Sequence, residues 1–95
     1  MKEQTHQARK LTADERADLL RRGLAAWFTT PGAQTTGPDG HPVAARLATL
    51  KDETNPGHLL HFVLIDAGPD MLVVYRVRND NLMLRRMRRP PKRLK

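Results

Sequence analysis

Apolar positions along the chain change period once. From Leu11 to Leu24 they recur at helical spacing, and beyond Val43 they alternate or run on as strands do. Ala13, Ala17, Leu20 and Leu24 fall on one helical face, with Asp14, Asp18, Arg21 and Arg22 away from it. Thr12 followed three residues later by Glu15 predicts a capping box, with Leu11 placed to act as a staple. Asp14 and Glu15 suit the positive end of the helix dipole. Gly23 leaves two possibilities. It ends the helix as a left-handed cap residue, or the helix continues through Trp27 and Phe28 with a mid-helix glycine costing about 1 kcal/mol.

Residues 29–42 hold three prolines and three glycines and predict a loop without a phosphate-loop pattern. Residues 43–50 alternate as a strand, although their alanines also suit a helix. Residues 59–65 and 71–78 are the clearest strands, joined by a turn at 67–70. A two-residue turn at Asn79-Asp80 leads into a strand over 82–88, which Pro90-Pro91 ends. These turns set registers that place Tyr75 opposite both Phe62 and Leu84. One face then collects Leu60, Phe62, Leu64, Val73, Tyr75, Val77, Leu82 and Leu84 beneath the helix. The other face holds Arg76, Arg78, Met83, Arg85 and Met87 at one end and Val63, Ile65, Leu72 and Val74 at the other. That apolar half calls for cover from residues 24–35 or from a second subunit in a homodimer.

The pattern therefore predicts an α+β fold: one N-terminal helix packed on an antiparallel meander of three to four strands. Residues 1–10 form a disordered tail, 11–89 a single domain, and 90–95 a basic C-terminal tail. Ninety-five residues suffice for one modest core, and with only four aromatics that core rests on Leu, Val, Ala and Met. The absence of cysteine excludes disulfides, thiolate metal sites and a cysteine nucleophile. The polar start, Met-Lys-Glu-Gln-Thr-His, lacks the apolar stretch of a secretory signal, so a cytoplasmic location is expected.

Charge changes the picture most. Residues 76–95 contain nine basic side chains and one acidic one, a net +8, whereas residues 1–75 carry −1. Seven of those nine are arginines, whose planar guanidinium forks match phosphate oxygens. Arg76, Arg78, Arg85, Arg86, Arg88, Arg89, Lys92 and Arg93 are the candidate binding residues, with DNA or RNA phosphates as the expected partner. An acidic protein partner is the competing expectation. No helix-turn-helix, zinc-finger or aromatic RNA-binding motif is present. His58 and His61, three apart on a strand, face opposite sides and cannot share a metal. Asp66 and Asp70 bracket a turn rather than forming a catalytic pair. No cofactor, metal site or catalytic residue is expected.

The string Val74-Tyr75-Arg76-Val77-Arg78 resembles a strand of small bacterial toxins that cut messenger RNA. Those toxins use basic and aromatic sheet residues to bind phosphate and stabilise its transition state. The resemblance implies a ribonuclease as an alternative function, but those toxins open with a strand and two helices, and this chain opens with one helix. The first half, from Leu11-Thr12-Ala13-Asp14-Glu15-Arg16-Ala17 through Leu19-Leu20, Gly23, Pro42-Val43 and Leu47, resembles small proteins carried on bacterial plasmids and integrative elements. That likeness implies no activity.

Overall fold

In a computed structural model, which describes residues 10–37, 40–55, 57–68, 71–89 and 91–94, Thr12 opens helix α1 (Ala13–Phe28). The capping box forms in both directions: the Glu15 amide donates to Thr12 Oγ1 at 3.1 Å, and the Thr12 amide donates to Glu15 Oε1 at 2.9 Å. The tail expected over residues 1–10 lies outside the described residues except for Lys10.

The helix does not stop at Gly23. Leu19, Gly23 and Trp27, four residues apart, form its buried line, while Ala13 and Ala17 are exposed and Leu20 and Leu24 flank the contact. The buried face is thus rotated from the expected stripe. Gly23 is the reason α1 lies so close to the sheet: a Cβ there would sit 2.6 Å from Val63 Cγ1. The glycine weakens the helix locally but lets its backbone approach Val63. The loop over 29–42 is tied to the end of the helix by Trp27 Nε1, which donates to the Gln34 carbonyl at 2.8 Å. It narrows into a bridge between Thr36 and Pro42 and delivers Val43 to the core.

The strands are β1 (Ala45–Lys51), β2 (Leu59–Gly68), β3 (Met71–Val77) and β4 (Leu84–Arg86), followed by a 3-10 turn at Lys92–Leu94. They form one antiparallel sheet in the order β1-β2-β3-β4, the expected meander. Its registers differ from those expected. Tyr75 faces Val63 rather than Phe62, a slip of one residue, which reverses every side chain of β2 relative to β3. The cause is a register shift between Asp66 and Gly68: β2 runs on to Gly68 opposite Met71 and absorbs one extra residue on the way. Val63, Ile65 and Ala67 therefore join Val73, Tyr75 and Val77 beneath α1, with Ala45, Leu47, Leu82 and Leu84 at the margins. Phe62 and Leu64 move to the opposite face.

That opposite face is not bare. Phe62, Leu64 and Val74 are buried there with Leu94, which the 3-10 turn brings onto the sheet, and Leu50, Leu60, Leu72 and Met87 pack around them. The proposed dimer contact through Val63, Ile65, Leu72 and Val74 loses its premise. Two of these residues lie under the helix, and Val74 is buried beside Leu94. Among the described residues no helix is long and apolar enough to cross a membrane.

Candidate functional site

The β3–β4 connection is longer than the two-residue turn expected at Asn79-Asp80. The Leu82 amide donates to the Arg78 carbonyl, and the Arg78 amide donates to the Met83 carbonyl, both at 2.9 Å, so residues 79–82 make a four-residue turn. Tyr75 consequently pairs with Arg86 instead of Leu84, a shift of two that leaves the faces of β3 and β4 as expected. Three side-chain contacts fix the turn. Asp80 accepts from Arg78 Nε at 3.2 Å and from Arg78 Nη2 at 3.0 Å, and Asn81 Oδ1 accepts from the Met83 amide at 3.0 Å. Leu82 adopts φ 57, a left-handed conformation costing a leucine roughly 1–2 kcal/mol. Its side chain packs on the helix-side core, and its carbonyl accepts from Arg22 Nη2 at 3.0 Å. Arg22 is itself held by Asp18 at 2.8 Å. It thus bridges the helix to the turn, a role its place on the expected polar face of α1 did not reveal.

The strand pairing brings Arg76 of β3 directly opposite Arg85 of β4. Both point away from α1, as do Val74 and Phe62 beside them. Like charges placed directly opposite on a sheet repel. Neither Arg76 nor Arg85 makes an ion pair with a described residue, and the same holds for Arg88 and Arg89. Arg78 is the neutralised member of the group. Partial burial works to raise the Asp80 carboxyl, but the hydrogen bond and charge of Arg78 outweigh it and hold the carboxyl below its ordinary value.

Arg76, Arg78, Arg85, Arg86 and Arg88 line an open concavity of about 730 Å³, together with Asn79, Asp80 and Met87. Five of the eight residues expected from sequence are therefore brought together. Arg86 differs from the rest: its guanidinium carbon lies 5.9 Å from the centre of the Trp27 ring, which ties β4 to the helix layer by a cation–π contact. Arg89 and Lys92 are exposed outside the lining, and the side chain of Arg93 lies outside the described structure. Asn79 and Asp80, expected only as turn formers, form part of the wall. Tyr75, on which the resemblance to RNA-cutting toxins rests, is buried beneath α1 on the face opposite Arg76.

His61 is buried beneath the helix layer, with Thr49 Oγ1 3.0 Å from its Nδ1, and lies apart from the concavity. Among the described residues no three His, Asp or Glu side chains gather as a metal-binding group. No protein-family model, curated protein or solved structure matches the chain.

Proposed function

We propose that the protein binds nucleic acid by gripping backbone phosphates in the concavity between β3 and β4. The observation that carries this is the Arg76–Arg85 pair, two guanidinium groups directly opposite one another with no described carboxylate to neutralise them. A fold gains nothing from such a pair by itself, whereas an anion between the two would turn the repulsion into two charge-assisted hydrogen bonds. Arg88 extends the positive wall, and Arg78, its fork taken by Asp80, frames the rim. The phosphate contacts would position the protein without reading sequence, as suits an accessory or regulatory factor.

Electrophoretic mobility shift at low and raised salt, with DNA and RNA in parallel, tests the proposal. Wild type shifts nucleic acid at micromolar protein and low salt, and the shift weakens steeply as salt rises. Arg76→Ala combined with Arg85→Ala abolishes it while leaving the circular dichroism spectrum unchanged, because both side chains are exposed. Failure of the wild type to shift any nucleic acid at low salt would contradict the proposal.

A second reading has one specific observation behind it. Met83, 54% exposed, lies on the same face as Arg78 and Arg85. An exposed, adaptable thioether among arginines suits an acidic protein segment carrying an apolar anchor. A pull-down that fails with nucleic acid and succeeds with such a segment would favour it.

A further inference from the structure

Resting on the phosphate reading above, we infer that the concavity is built for duplex backbone in preference to single strands. Proteins that hold single strands combine a basic groove with aromatic rings on which successive bases stack. This chain has four aromatic side chains, and none stands in the concavity. Phe62, the one aromatic on the arginine face, is 1% exposed beneath Leu94 and its neighbours. Trp27 and Tyr75 are 3% and 5% exposed in the core beneath α1. Phe28 is half exposed, but it ends α1, on the layer across the sheet from Arg76 and Arg85. A strand lying along the arginines would find charge and thioethers but no ring to receive its bases.

Duplex presents the complementary chemistry. Its bases are already stacked on one another, so it needs nothing from the protein but cations. Its phosphates are also denser along the axis than those of a single strand, and each contact releases more counterion. The paired guanidiniums of Arg76 and Arg85 offer forks suited to such a phosphate row. DNA and RNA duplexes share this chemistry, and separate arms of one experiment distinguish them.

The test is fluorescence anisotropy at low salt with labelled duplex DNA, duplex RNA and oligo-dT of equal phosphate number. At least one duplex should bind about tenfold more tightly than oligo-dT, because each duplex contact releases more counterion and the concavity has no ring to compensate the single strand by stacking. The duplex arm should also show the steeper salt dependence per contact, roughly −0.9 against −0.7. Phe28→Ala should change neither affinity. Oligo-dT binding as tightly as either duplex would overturn the inference while leaving the phosphate reading intact. Selective loss of oligo-dT binding in Phe28→Ala would overturn it in the same way by identifying Phe28 as a stacking residue. Binding of none of the three would remove the phosphate reading and the inference together.

Discussion

The two ends of the sheet face turned away from α1 differ in how their charge is handled. At one end Arg46 of β1 meets Asp66 of β2 at 3.2 Å, and the guanidinium is neutralised. The middle is dry, with Phe62, Leu64 and Val74 buried beneath Leu94. At the other end Arg76 and Arg85 oppose each other without a described carboxylate. The fold pairs or covers its polar and apolar groups where structure is the purpose and leaves like charges adjacent where the cover ends. Such local conflict between charge and stability is expected at a functional surface.

The largest test of this contrast is Phe62→Ala, at the boundary between the dry middle and the arginine end. It should destabilise the protein by about 3–5 kcal/mol in chemical denaturation, as for a fully buried ring. A loss under about 1 kcal/mol would mean that the middle of the face is not packed. The helix-side face provides the next comparison. Gly23→Ala would normally strengthen a helix, but here the added methyl meets Val63, and the substitution should cost about 1–3 kcal/mol. Val63→Ala in the same background should recover part of that loss, which a double-mutant cycle would measure.

The arginine end should respond in the opposite direction. Arg85→Glu replaces a repelling cross-strand pair with an attractive one opposite Arg76, and should stabilise the protein by about 0.2–1 kcal/mol while removing nucleic-acid binding. A thermal melt and a binding assay on the same sample would check both. Lowered stability would show that the repulsion is already relieved in the free protein. The smallest effect belongs to Asp52, in the turn between β1 and β2. Hydrogen bonds from the Asn55 and Thr54 side chains and the Thr54 amide lower its carboxyl to about 2. Its folded value lies below its unfolded one, so its stabilisation is present above about pH 4 and is lost as pH falls through 2. An NMR titration should place the Asp52 midpoint near 2 in wild type, and Thr54→Ala should raise it.

How far the sequence foretold this arrangement varies from strand to strand. In β3 and β4 the arginines break the apolar run: Arg76 and Arg78 alternate with Tyr75 and Val77, and Arg85 lies between Leu84 and Arg86. That alternation identifies the faces, so the basic cluster could be assembled from periodicity even though the turn between the strands is two residues longer than expected. In β2 every position from Leu59 to Ile65 except His61 is apolar, because α1 covers one side and Leu94 the other. A strand buried on both faces carries no alternation to fix its register, and the bulge before Gly68 then reversed it. The continuation of α1 through Gly23 was undecidable for a related reason. Its cause is a contact with Val63, forty residues away and invisible to local pattern. Arg22 and Arg86 show the same limit within the basic residues: each looks like surface charge in sequence, yet one holds the Leu82 carbonyl and the other lies over Trp27.

The salt dependence of duplex binding separates phosphate contacts from inert surface charge. If Arg76, Arg85 and Arg88, the lining arginines held by neither Asp80 nor Trp27, each neutralise one phosphate, a log–log plot of the association constant against salt has a slope of about −2.7, at roughly −0.9 per contact. Replacing Arg76 and Arg85 with Ala should reduce it to about −0.9, by the same increment per contact, with the melting temperature maintained. A slope near zero in wild type, or one that the double substitution leaves unchanged, would contradict the account.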